Sequence, residues 1–86
     1  MNETHENRLK RIWMRSKYRG IREMDLILQQ FCKDHLEDMD DAALTLYDAL
    51  LYENDQDLYQ WVTGQVETPE KFRALVHDIS LTFNRT

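Results

Sequence analysis

Arg19-Gly20-Ile21-Arg22-Glu23-Met24-Asp25-Leu26-Ile27-Leu28-Gln29-Gln30-Phe31-Cys32-Lys33-Asp34-His35 is the stretch on which the fold turns. Met24, Ile27, Leu28, Phe31, Cys32 and His35 recur at the three-, four-, seven-, eight- and eleven-residue intervals of one α-helical face. Gly20 interrupts the pattern, and a second amphipathic segment lies on its other side. The arrangement predicts two helices joined by a tight turn at Gly20, because glycine reaches positive φ without steric cost.

Working outward, the first helix is read over about Thr4 to Lys17. Leu9, Ile12, Trp13 and Ser16 face the core, while Arg8, Arg11 and Arg15 form a basic stripe on another face. Glu3 and Glu6 near its start and Lys17 near its end suit the helix dipole. The second helix runs from about Ile21 to His35. A third follows the acidic cluster Glu37-Asp38-Met39-Asp40-Asp41, with Asp40 as its cap and Met39 and Leu44 placed for a hydrophobic staple. Between Ala42 and Tyr52 only Thr45 and Asp48 are polar, so this helix is expected to be the central, most buried one. A short fourth helix spans about Asp55 to Thr63, capped by Asn54 or Asp55, anchored by Leu58, Trp61 and Val62, and ended by Gly64. Thr68-Pro69-Glu70 marks the start of the fifth, with Phe72, Leu75, Val76, Ile79 and Phe83 as its buried stripe. Residues 1–7 and 83–86 are expected to fray. The expectation is an all-α protein, a single compact five-helix bundle over residues 1–86.

Length and composition agree. Eighty-six residues and 10.4 kDa suit one domain, since two separate cores would each be too small to hold themselves together. Two glycines and one proline argue against a β-rich fold. No run of about 18 apolar residues exists to cross a membrane. The polar, acidic start is unlike a targeting segment. A single cysteine, Cys32, suits a reducing compartment, so the chain is expected to be cytoplasmic. The net charge of −5 conceals an asymmetry: residues 1–23 hold seven basic side chains against three acidic, and residues 24–86 four against thirteen.

Several chemistries fail on spacing. Gly20 and Gly64 are too far apart for a phosphate-cradling loop. His5, His35 and His77 are scattered, and no Cys-x-x-Cys or His-x-x-x-His pair occurs. Asp38-x-Asp40 and Asp55-x-Asp57 lack the glycine that a calcium loop requires and read more simply as helix caps. Ser16, Ser80 and Cys32 have no evident base; Cys32 reads as a small buried hydrophobe and His35 as an edge-of-core residue. The chain is therefore expected not to be an enzyme. The basic stripe on the first helix leaves a nucleic-acid interface as a weak alternative against an acidic remainder.

Two stretches hold residues that packing alone does not require. Tyr18-Arg19-Gly20-Ile21-Arg22-Glu23-Met24-Asp25 reads either as a helix start with local ion pairing or as an exposed rigid corner offering a guanidinium and a carboxylate to a partner. Leu50 to Trp61 reads as an acidic cap followed by aromatic core residues. In this order and spacing the two resemble the SdhE family of FAD assembly factors, whose mitochondrial relatives are succinate dehydrogenase assembly factors. The family's Arg-Gly-x-x-Glu motif is matched by Arg19-Gly20-Ile21-Arg22-Glu23, and its acidic loop leading into Asp-Leu-aromatic-x-Trp by Asp55 to Trp61. The likeness covers about residues 8–82. Many bacterial members carry a second arginine before the motif, where this chain has Tyr18.

The resemblance implies a non-enzymatic, monomeric maturation factor. Such a factor binds the flavoprotein subunit of succinate dehydrogenase, in some bacteria also that of fumarate reductase, and promotes covalent attachment of FAD to a client histidine. By this analogy Arg19, Gly20 and Glu23 sit at the client contact with Arg22 and Asp25 beside them. Glycine lets the corner approach client backbone, and Arg19 is suited to pair with a client carboxylate. FAD belongs to the client; no cofactor, metal, nucleic acid or membrane partner is implied for this chain. The rival readings are an antitoxin-like or general protein-interaction module and a nucleic-acid-binding helical domain.

Overall fold

A computed structural model describes residues 3–84. Helix α1 (His5–Arg15) is followed by α2 (Arg22–His35), a 3₁₀ turn at Leu36–Asp38, α3 (Asp41–Leu50), α4 (Asp55–Val62), a second 3₁₀ turn at Glu70–Phe72 and α5 (Arg73–Asn84). No strand occurs among the described residues. The Cα radius of gyration, 12.3 Å, matches the roughly 12 Å expected of one domain of this length. The all-α five-helix reading stands.

Short polar side chains set the helix starts. The Thr4 hydroxyl accepts from the Asn7 amide at 3.1 Å, the Asp40 carboxylate from the Ala43 amide at 2.8 Å, and the Asn54 side chain from the Gln56 amide at 2.8 Å. Each supplies an acceptor to an amide that has none within its own helix. With Thr4 as cap, residues 5–7 lie within α1, and Phe83 and Asn84 lie within α5, although fraying was expected at both places. Arg85 and Thr86, like Met1 and Asn2, lie outside the described residues. Gly64 ends α4 at φ +82°, and the Gln65 amide returns to the Gln60 carbonyl at 2.8 Å.

Two expected boundaries move. The Thr68-Pro69-Glu70 signal opens a 3₁₀ turn, and the α-helix proper begins at Arg73. Helix α1 stops at Arg15 because the chain leaves helical geometry ahead of Tyr18, which has φ +55°.

The core consists of Ile12 from α1, Met24, Ile27, Leu28, Phe31 and Cys32 from α2, Leu44, Tyr47 and Leu50 from α3, Leu58 and Val62 from α4, and Leu75, Val76 and Ile79 from α5, with Leu36, Leu51 and Phe72 from the links. Helix α2 supplies five buried residues, more than any other helix, and packs on both α4 and α5. This corrects the expectation for α3. Ala42, Thr45 and Ala49 face water, and Tyr52 lies beyond the helix with two-thirds of its surface exposed. An apolar count overstates burial when short alanines, cheap to expose, supply it. Between α1, α2 and α3, the buried Ser16 hydroxyl lies 2.8 Å from the Tyr47 hydroxyl and donates to the Ile12 carbonyl at 2.8 Å. Cys32 Sγ lies 3.3 Å from both hydroxyls. Burial pushes the Cys32 thiol up, away from the reactive thiolate.

Candidate functional site

The α1–α2 link is held by Arg19, whose guanidinium turns inward. Its Nε donates to Asp55 Oδ1 at 2.8 Å, Nη2 lies 2.7 Å from the same oxygen, Nη1 donates to the Arg15 carbonyl at 2.7 Å and Nη2 to the Leu51 carbonyl at 3.1 Å. The position follows from helix physics. The carbonyls of Arg15 and Leu51 are at the C-terminal ends of α1 and α3, where acceptors are left over and the dipole is negative. Asp55 occupies the first turn of α4, where a carboxylate is favoured. One planar cation therefore joins three helix ends, with its side chain only 11% exposed. The expectation that Arg19 offers its guanidinium outward to a client carboxylate is corrected: the carboxylate it grips is Asp55 of the same chain.

Gly20 follows from the same clamp. Its amide donates to Asp55 Oδ2 at 2.5 Å, and a Cβ there would stand 3.1 Å from that oxygen. Glycine suits the close approach of Asp55, not a positive φ; the left-handed residue of the turn is Tyr18. Asp25 Oδ1 supports Tyr18 by accepting its amide at 2.9 Å, and it also accepts from Gln29 Nε2 at 2.6 Å. Asp25 thus serves the turn, in keeping with the helix-start reading.

Gly20, Arg22 and Glu23 are the members of the motif left facing water. All three are exposed, and neither the Arg22 nor the Glu23 side chain forms a hydrogen bond or ion pair with any described residue. Next to them in the chain stand two large exposed apolar side chains, Tyr18 at 78% and Leu26 at 55%. The five residues expected at the contact thus divide into Arg19 and Asp25, which build the corner, and Gly20, Arg22 and Glu23, which it displays. Asp55 was read from sequence as a cap and as the start of the second family signature, not as a partner of the first. Its pairing across 35 residues with the glycine had no local signal beyond the joint presence of the two stretches.

The basic stripe of α1 has a structural use. Arg8 donates to Asp41 and Thr45 of α3, and Arg11 grips Asp48 with both terminal nitrogens at 2.7 and 2.8 Å while also reaching Glu3. Arg11 hydrogen bonds hold the Asp48 and Glu3 carboxyls below the ordinary carboxylate range, and the Arg11 guanidinium is raised in turn. Two of the three arginines offered for a phosphate-tracking face are thereby neutralised, which weakens the nucleic-acid alternative. Among the described residues no group of three or more His, Cys, Asp or Glu side chains is placed to hold a metal ion. No helix among them is long and apolar enough to cross a membrane.

Fold and corner together define a class: a small helical domain that braces a charged elbow from within and presents its tip to solvent. The chain belongs to the family described as "Flavinator of succinate dehydrogenase", whose sequence model matches residues 10–82. It is 46% identical over 61 residues to the mitochondrial succinate dehydrogenase assembly factor 2 of Meyerozyma guilliermondii, covering 71% of this chain and 45% of that protein. It is 40% identical over 72 residues to the factor of the same name from Schizosaccharomyces pombe, covering 84% and 52%. With the Danio rerio factor it shares 36% over 78 residues, covering 88% and 49%. The chain thus spans about half the length of these relatives. Their names also correct the cytoplasmic expectation: they are labelled mitochondrial, which points to the mitochondrion.

Proposed function

We propose that this chain is a non-enzymatic assembly factor that docks on the flavoprotein subunit of succinate dehydrogenase and promotes covalent attachment of FAD to it. The observation that carries the reading is the exposed, unpaired Arg22–Glu23 pair beside exposed Gly20, on a link pinned from below by Arg19 and Asp55. A link fixed by so many hydrogen bonds loses little conformational freedom on binding. Two opposite charges at its tip suit a partner of mixed charge and fix orientation.

The factor acts by holding the client. It stabilises the arrangement in which the client's FAD and acceptor histidine are aligned, and bond formation then follows the client's own chemistry. Alignment of this kind is worth up to about 7–11 kcal/mol of a barrier in favourable cases. FAD in this reading stays with the client, and the factor binds as a monomer. The test is in-gel flavin fluorescence of the flavoprotein subunit produced with and without this chain, with the fumarate reductase subunit run alongside. The expected result is strong fluorescence with the chain, weak without it, and weak with Glu23→Ala, a variant that keeps the parent melting temperature. Equal fluorescence with and without the chain overturns the proposal.

A further inference from the structure

We infer that the hollow beside Gly20 receives an acidic side chain of the client flavoprotein, with Lys17 and Arg15 as the cations that hold it; the inference rests on the docking function proposed above. Arg15, Lys17, Tyr18, Arg19, Gly20 and Asp55 line an open hollow of about 250 Å³. Three of these residues are cationic and one is a carboxylate, a local excess of positive charge in a chain whose net charge is −5. Asp55 does not cancel the excess, because Arg19 already faces it at 2.7 Å.

The decisive observation is how unevenly α1 and its extension are paired. Arg8 and Arg11 each face a carboxylate. The Arg15 side chain makes no hydrogen bond or ion pair with a described residue. Its guanidinium carbon lies 4.1 Å from the centroid of the Tyr52 ring, and its Nε is buried with no acceptor. Lys17 Nζ stands 5.1 Å from the Trp13 ring centroid and 5.2 Å from that of Tyr18, again without a carboxylate. Aromatic faces attract a cation without neutralising it, and Asp48, the carboxylate that also feels Arg15, is already gripped by Arg11, so both charges remain available to an anion. A buried donor without an acceptor is costly, and a client carboxylate in the hollow that Arg15 lines would bring an acceptor to that side chain.

Size selects the occupant. Pockets that engulf small molecules run from about 300 to 1,000 Å³; this one is smaller and open, which suits a side chain carried in by a protein surface. A guanidinium fork beside an ammonium matches a carboxylate. Exposed Gly20, with no side chain of its own, leaves room for the backbone that carries it.

The experiment is calorimetric titration of the succinate dehydrogenase flavoprotein subunit with the parent chain, Lys17→Gln, Lys17→Glu and Arg15→Gln, at low and at physiological salt. Lys17→Glu is expected to weaken binding roughly tenfold at low salt, Lys17→Gln by less, and both to flatten the salt dependence. The Lys17 variants are expected to stay folded with a melting curve close to the parent's, since that side chain makes no hydrogen bond or ion pair with a described residue and its loss removes only the contacts to the Trp13 and Tyr18 rings and a favourable charge at the end of α1; they decide the matter if Arg15→Gln loosens the fold. An acid-to-lysine change in the client that restores binding of Lys17→Glu identifies the side chain received. If Lys17→Glu binds as the parent does, with the same salt dependence, the inference is overturned while the docking function stands. If the parent chain fails to bind the subunit, both fall.

Discussion

Replacing Arg19 by alanine is expected to act first on stability and only through it on flavinylation. The change removes a charge-assisted pair to Asp55 and two hydrogen bonds to helix-terminal carbonyls, at a side chain 11% exposed facing one 20% exposed. Breaking a fully buried pair costs about 3–5 kcal/mol, and an exposed one about 0–1. The partial burial here places the loss near 2–3 kcal/mol, including the carbonyls, which water can partly re-solvate. A domain of this size has a total stability on the order of 4–13 kcal/mol. The variant should therefore remain folded in the cold, with a melting temperature lowered by about 10–20 °C. Asp55→Ala should cost slightly less, because Arg19 retains its two carbonyls and the exposed Gly20 amide turns to water. The double variant should cost less than the sum of the two singles by about 1–2 kcal/mol. Urea unfolding of the four proteins measures every term. Flavin fluorescence of the client at 15 and 37 °C then separates the roles: Arg19→Ala should support attachment in the cold and fail when warm, whereas Glu23→Ala should fail at both. An Arg19→Ala protein with the parent urea midpoint refutes the clamp.

Two further outcomes follow from the geometry. Gly20→Ala should lower the urea midpoint by an amount worth about 1 kcal/mol, because its Cβ would stand 3.1 Å from Asp55 Oδ2 and force the clamp to lengthen; in the Asp55→Ala background the same substitution should be nearly neutral. The pair formed by Asp48 and Arg11 should shape the acid limb of stability. Arg11 lowers the folded pKa of Asp48, so the stabilisation is fully present above the unfolded value of about 3.9 and is lost as pH falls through the lower folded value. Urea midpoints recorded between about pH 5 and pH 2 should therefore fall less steeply for Asp48→Asn than for the parent, and equal slopes would remove Asp48 from the account.

Much of the fold was legible because it was local. The α2 stripe, the caps at Asp40 and Asn54 and the glycine stop at residue 64 depend on neighbours within one or two turns. What was misread depended on distance. Glu23 and Asp25 lie within four and six residues of Arg19 and were natural candidates for its partner, yet the structure pairs it with a carboxylate 36 residues away. Gly20 looked like a left-handed turn residue because that is the common local reason for glycine; the actual reason, an oxygen from another helix, has no local trace. Helix α3 misled through its alanines, which score as apolar but can face either way. The exposure of Gly20 and Glu23 was legible from the family motif, while Arg15 of the neighbouring hollow was hidden within a stripe whose other members are paired off, and Lys17 behind its fit to the helix dipole.

The reach of Arg19 to Asp55 also limits how the elbow can be transplanted. A designer who copied residues 18–25 into another helical hairpin would transfer a bend without its anchor, since the oxygen atoms that seat it arrive from the far side of the sequence. A portable version must bring the start of α4 along with it, and any circular permutation that severs the chain near residue 55 should blunt the tip even though the tip itself is untouched.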